Sequence, residues 1–420
     1  MKKVIIVSFV LFGMIISSTG LLAKFSLNGQ FKPRYEYRDG YRQLISDDLF
    51  PASFVSQRTR LNFDYSNSNL TSRISVQDVR VWGDEIHLKN VPRIAMHEAW
   101  VDVKLDTMIS LKVGRQELVY DDHRILGNVD WAQEGRSHDA VVGKYESDDL
   151  RLHLGGAFNQ SAQNLFGTTY PLSNYKGLGF LWLENKIDTN MRFTILGITD
   201  AFQENDTNNY NYFRYTFGGN YYYTSQDLEL QGTGFYQLGQ TTLAQDIAAY
   251  MFSFQAHYKF NGFKVGAGID YLSGNDSENP NSNEYTAFNT LYGTNHKFYG
   301  LMDHFLDIPA HTAGGGLVDI YAKIKYSFMP KWVAALDFHS FSLDKAIIDP
   351  NTAELTEKGL ASEIDLVLTH TIASDIKLQL GYSYMIPADA LKIVQGRPNG
   401  NNSQWIWAML IVTPELFSSN

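Results

Sequence analysis

The chain has no cysteine among its 420 residues. That absence excludes a disulfide framework, thiolate catalysis, cysteine-held metals and a lipid anchor on an N-terminal cysteine. Charge is scarce as well, at 19 % of residues. Mean hydropathy is only -0.24, and beyond the first segment no run approaches the roughly eighteen apolar residues of a membrane helix. If the chain crosses a membrane after that segment, it does so as strands. A net charge of -10 argues against a nucleic-acid partner. Neither a GxSxG nor an HExxH motif occurs, which removes two common hydrolase signatures.

What is abundant is aromatic and small. Aromatics make up 14 % of the chain, with 25 Tyr and 26 Phe, alongside 33 Gly. Many short strands bearing aromatic girdles have this composition. The first residues, MKKVIIVSFVLFGMIISSTGLLA, give two lysines, an apolar run and then small residues. This is the pattern of a secretory signal peptide over 1–23, cleaved after Ala23. It leaves 24–420 as the mature unit.

The mature chain alternates from its start. Phe25, Leu27, Phe31, Tyr35 and Tyr37 share one face of the first strand, and Lys32, Arg34, Glu36 and Arg38 share the other. Leu61, Phe63 and Tyr65 oppose Arg58, Arg60 and Asp64 in the same way, and the pattern recurs to Ile376–Tyr384. Connection lengths alternate too. Tight turns at Asn67-Ser68-Asn69, Asp106-Thr107, Asn261-Gly262, Pro330-Lys331 and Ser374-Asp375 are separated by long stretches such as 119–137 and 273–315. Eight short and nine long connections separate about 18 strands. The expected fold is all-β, a membrane-spanning antiparallel up-and-down β-barrel with short turns at one end and long loops at the other. Its last strand, Gln404–Val412, is followed by Pro414 and a final aromatic, Phe417, so the residue that ends it is not fixed by the pattern.

If the polar faces line the lumen, they carry more basic than acidic side chains. The basic set runs from Lys32, Arg34 and Arg38 through Arg58, Arg60, Lys112, Arg214 and Lys323 to Lys377. Many carboxylates, among them Asp47, Asp48, Asp121, Asp122 and Glu278, fall in loops and turns. Such a lining favours anions, and arginine forks suit carboxylates. Cross-strand pairing of opposite charges is the competing use of the same residues.

One stretch resembles a known family. Val113–Val142 reads VGRQELVYDDHRILGNVDWAQEGRSHDAVV, two strand ends around a charge-dense loop. Its GRQ, RILG, Asp-Trp and Arg-x-x-Asp-Ala-Val resemble the alginate export family of outer-membrane porins. His97–Val103, Phe288–Gly300, Leu360–Thr369 and Pro387–Ala390 resemble further family blocks, in the family's order. The resemblance implies an 18-stranded barrel in the outer membrane of a Gram-negative bacterium, placed there by the barrel assembly machinery and surrounded by lipid. It also implies a constriction of arginine and acidic residues that passes an anionic polysaccharide or oligosaccharide. Arg115, Arg136, Asp139 and Lys297 match on motif; Arg58, Arg60 and Arg80 join them on face and position, and Arg34 and Lys377 from the inward lining. Arg115 has the parity of Leu111 and Val113, so an inward side chain there needs a bulge or a nearby strand end.

Other classes stay open. An outer-membrane enzyme could draw on loop histidines (His87, His123, His304, His311). A barrel plugged by 273–315, with Gly314-Gly315-Gly316 as its hinge, is a second alternative, and a general anion porin a third. No cofactor is expected, although loop carboxylates could take a divalent cation.

Overall fold

A computed structural model describes residues 23–85, 88, 93–170, 173–204, 210–279 and 282–419. The signal peptide (bar Ala23) and His87 lie outside them. Thirteen strands come first: β1 Lys24–Asp39, β2 Ala52–Ser66, β3 Leu70–Val81, β4 Ala95–Lys104, β5 Ile109–Gln116, β6 His138–Glu146, β7 Leu150–Phe158, β8 Gly177–Lys186, β9 Met191–Gln203, β10 Asn211–Thr224, β11 Leu228–Gln240, β12 Asp246–Phe260 and β13 Phe263–Leu272. After a long loop, Leu317–Met329, Trp332–Ser342, Gly359–Ala373, Ile376–Pro387 and Ser403–Val412 complete the barrel. Each strand pairs antiparallel with its neighbours in sequence, and the last pairs with β1 from Phe31↔Val412 to Asp39↔Gln404. The result is the expected closed barrel of 18 strands. Closure matters physically, because an open edge in lipid leaves backbone donors and acceptors unpaired.

Side-chain alternation sets the two surfaces. Phe31 and Tyr35 are exposed outward, whereas Lys32, Arg34 and Glu36 between them are buried inward. Phe213, Tyr215, Phe217, Phe252 and Phe254 continue the outer apolar band. At the short-turn end Phe260, Phe263, Tyr326, Phe328 and Trp332 form a chain of ring contacts, with Phe263 on Tyr326 at 3.9 Å. An interfacial aromatic girdle has this form.

The seam resolves the end of the chain. Pro414 cannot donate to the ladder, and its carbonyl accepts from Gly29 N–H at 2.9 Å where the last strand breaks. Pairing resumes over Glu415–Ser418, with Phe417 opposite Leu27 and its ring 6.1 Å from Phe25. The last aromatic therefore does close the barrel, after a two-residue interruption at Thr413-Pro414.

Short turns carry the local backbone demands. Asn261 and Gly262 have φ of 46° and 82°, the pair required at the centre of a two-residue type I′ hairpin. Gly262→Val places a branched side chain in that left-handed conformation. It should cost about 1–2 kcal/mol, read as a lower denaturation midpoint in detergent micelles, whereas Gly262→Asn should lose less than half as much.

Candidate functional site: a lumen narrowed by two clasped loops

The 117–137 loop lies inside the barrel because the wall supplies partners for its charges and carbonyls. Asp130 accepts from Arg58 at 2.6 Å and from Lys32 at 3.3 Å, and Lys32 also donates to the Asp130 carbonyl at 2.8 Å. Arg34 donates to the Trp131 carbonyl at 2.7 Å and lies 4.1 Å over the indole. Gln133 donates to Ser56 at 3.0 Å, and Gln77, which itself holds Arg60, donates to the Glu134 carbonyl. On the far side Arg124, fully buried, reaches Asp270 of β13 at 2.8 Å, and Asp121 accepts from the Trp182 indole of β8 at 3.1 Å. The loop thus spans the bore from β1–β3 to β8 and β13.

A second loop, 273–316, is clasped to the first. Gly127 N–H donates to Tyr292 O at 3.0 Å, Tyr292 N–H to Ile125 O at 3.1 Å, and Thr294 N–H to His123 O at 2.8 Å. His296 stacks on Trp131 at 4.2 Å, and Trp131 meets the edges of Trp405 and Trp407. Wall carboxylates receive the loop's backbone: Met302 N–H donates to Glu363 at 2.9 Å and Leu301 N–H to Asp365 at 3.3 Å. Phe288, Tyr299, Met302, Phe305 and Ile308 are buried, so the lumen contains an apolar core of its own. The Gly314–Gly316 stretch is packed rather than free: a Cβ on Gly274 would sit 2.2 Å from the Gly315 carbonyl carbon.

Among the cavities of the described residues, two lie beside this core at the long-loop end. One, of about 610 Å³, is lined by Arg115, Arg136, His138, Tyr175, Arg214 and Tyr292 among others. The other, of about 460 Å³, is lined by Arg34, Arg38, Arg42, Arg80, Tyr41 and Trp131 among others. Inward side chains also pair with one another. A recurring motif is one carboxylate between two cations: Glu36 with Arg34 and Arg38 along β1, beside the second chamber, and, across strands, Glu184 with Arg151 and Arg192 and Glu229 with Lys259 and Lys264. Lys112, Arg136, Lys297, Lys325 and Lys377 have no ion-pair partner among the described residues. Lys112 instead caps the Trp100 ring at 3.9 Å, and Lys297 donates to the Asp122 carbonyl at 2.9 Å.

Arg34, Arg58 and Arg60 face inward and hold the first loop. Arg136 bonds the Tyr292 and Gly293 carbonyls, and Lys377 is an exposed inward residue at the short-turn end. Three residues require correction of their face. Arg115 and Asp139 pair with each other at 3.1 Å on the side of Leu111, Val113 and Val141, with Asp139 63 % exposed. Gly114, at φ 123°, marks the irregular strand end, and Arg115 reaches only the chamber wall. Arg80 also sits on the outward parity, since Gln77 and Val79 pair with inward Arg60 and Arg58; it bonds Asp78 and Glu85 at the rim. Trp131, Arg42 and the Arg124–Asp270 pair were not singled out from sequence. The signal was the charge-dense yet partly apolar 117–137 stretch itself, which a merely solvated loop does not need. Among the described residues no group of three or more His, Asp or Glu side chains could hold a metal.

A closed antiparallel barrel with inward loops and a polar wall is the form of an outer-membrane channel. OccAB4 of Acinetobacter baumannii has the same fold, at a TM-score of 0.64 and 14 % identity, over 95 % of this chain and 99 % of that one. OccK5 (OpdH) of Pseudomonas aeruginosa aligns at 0.62 and 13 %, over 95 % and 100 %, and OccD3 (OpdP) of the same organism at 0.63 and 13 %, over 95 % and 93 %. No curated protein sequence matches the chain. Residues 24–403 match the alginate export family, and the chain belongs to it.

Two tests follow from the loop anchors. In Asp130, burial works against the carboxylate, but Lys32 and Arg58 outweigh it and hold the group below the usual range. Asp130→Asn leaves two buried cations without their counter-charge. Because Asp130 is itself half exposed, the loss should be about 1–3 kcal/mol of loop docking, seen as faster hydrogen exchange over 117–137. The second test concerns His304, which donates to Gly40 O at 2.8 Å and accepts from Gln395 at 2.9 Å; burial pushes it down to about 4. An undocked His304 takes up a proton below about pH 6.5, and the docked one cannot. Docking should therefore weaken from about pH 6.5 to 4, by about 3 kcal/mol in full. Exchange of 295–306, corrected for intrinsic rate, should rise over that window and flatten in His304→Gln.

Proposed function

We propose that the protein is an outer-membrane channel for anionic solutes, alginate or a related polyuronate or oligouronate. The observation that carries this reading is the doubling of cations on single carboxylates along the lumen wall, at Glu36, Asp130, Glu184 and Glu229. Each such cluster keeps one positive charge after pairing. Set in a low-dielectric wall, these residual charges focus a positive potential on the bore. Arg73, shared by Asp64 and Glu98, and Arg124, shared by Asp122 and Asp270, are counterexamples. The inward acids Asp270, Asp319, Glu363 and Asp365 face Arg124, His339 and loop N–H groups rather than open space.

The candidate residues then divide by role. Arg34, Arg58 and Arg60 set the width by holding the first loop. Arg136, Lys297 and Lys377 supply unshared charge, and Arg80, Arg115 and Asp139 lie at the outer rim. Family membership supports the uronate. Lipid around the apolar band and insertion by the barrel assembly machinery belong to the same reading, and no cofactor enters it.

Reversal potentials of the purified barrel in planar bilayers under a salt gradient test this directly. The wild type should favour anions and be blocked by oligouronates. Replacing Lys297 and Lys377 together by Glu should lower the anion-to-cation permeability ratio several-fold. Anion selectivity without uronate block would leave a general anion porin, and cation selectivity in the wild type would sink the proposal.

A further inference from the structure

The larger chamber differs from the rest of the wall in what it leaves unsatisfied. Arg115 and Arg214 are each matched by a carboxylate, Asp139 at 3.1 Å and Asp200 through two hydrogen bonds. Arg136 is not. Its Nη1 donates to the Tyr292 and Gly293 carbonyls, and among the described residues no carboxylate lies within ion-pair distance. Asp307 is exposed elsewhere on the lining and is not its partner. His138 lines the same space at 5 % exposure. Its Nδ1 is 2.8 Å from the Tyr175 hydroxyl, and its Nε2 has no hydrogen-bond partner. A buried ring nitrogen without a partner is costly unless something completes it. Tyr175 and Tyr292, edge to face at 5.3 Å, add aromatic surface.

We propose that this chamber is a subsite for one end of a short oligouronate, two or three sugar residues long, and not a segment of a groove for continuous polymer. The proposal rests on the uronate reading above and narrows it. One unshared guanidinium takes one carboxylate, bidentate where its free nitrogens allow. His138 Nε2 meets a sugar hydroxyl, and the aromatic pair meets a ring face. The volume of about 610 Å³ falls inside the roughly 300–1,000 Å³ of small-ligand sites, enough for roughly two or three sugar rings. Behind the chamber the Leu126–Tyr292 bridge and the Thr294–His123 bond join the two loops. A long chain entering here meets that clasp.

Single-channel block of the full barrel in bilayers, with saturated oligomannuronates of one, two, three, four and eight residues, tests the length. Affinity should rise about tenfold from one residue to three and then stay level to eight. His138→Gln and Arg136→Gln should each weaken trimer block about tenfold, and Arg136→Gln should do so without changing block by a neutral glucan trimer. Because Arg136 also ties the loops, Asn174→Asp serves as the variant that leaves the clasp intact; its added carboxylate in the lining should weaken uronate block alone. Affinity that keeps climbing to eight residues, or unchanged trimer block in both His138→Gln and Asn174→Asp, would overturn the subsite while the anion channel stands. Cation selectivity with no block at any length would overturn both.

Discussion

The structure depends on one carboxylate holding two buried cations. Asp130 sits between Lys32 of β1 and Arg58 of β2, which are 3 % and 0 % exposed. Without it, two like charges would face each other inside a barrel wall with no counter-charge, an arrangement costing about 1–3 kcal/mol with a half-exposed carboxylate as the partner lost. With it, the 117–137 loop is fixed across the bore, and the next residue, Trp131, is delivered to the centre of the lumen. There it meets His296, Trp405 and Trp407. The second loop therefore packs on a surface that exists only because the first is docked.

That dependence reverses the usual logic of a soluble core. The barrel spends its apolar face on lipid, so its interior is polar by default and needs no filling to be stable. This chain fills it anyway, with an apolar cluster contributed by two loops and the last strand. The inward positions of Ser403–Val412 show the consequence, since Trp405, Trp407 and Met409 are almost fully buried while Ile406 between them is exposed on the outer face. The strand is apolar on both faces because each face meets a different apolar partner.

Particular residues mark how far the sequence could be read. Alternation in Phe25–Arg38 and the regular change of short and long connections gave the barrel, its strand number and the inward position of Arg34, Arg58 and Arg60. Those signals are local, repeated and enforced by the pleat. Arg80 and Arg115 show the opposite case. β3 pairs with β2 without a register shift through Arg80, and Arg115 keeps the parity of Leu111 and Val113, so the pleat itself turns both away from the bore. Motif and position draw them to the lumen against that alternation. The clasp between 123–127 and 292–294 was out of reach for a different reason. It joins segments more than 160 residues apart through backbone groups, which no side-chain pattern encodes.

Cross-strand pairing and anion selection are often set against each other as explanations of a charged lumen, and here they are compatible. A cation fixed by half of a shared carboxylate loses side-chain freedom but not all of its charge. Glu184 between Arg151 and Arg192, and Glu229 between Lys259 and Lys264, are of this kind. Pairing then positions the surplus charge, which is what a selective site needs, since an unrestrained lysine would screen poorly and wander. The acids Asp270, Asp319, Glu363 and Asp365 are spent on Arg124, His339 and the N–H groups of Leu301 and Met302. Lys264 shares β13 with Asp270, Lys325 shares a strand with Asp319, and the strand of Lys377 pairs with that of Glu363 and Asp365. Engaged acids and surplus cations therefore stand side by side around the bore, and that imbalance is what the proposed anion selectivity requires.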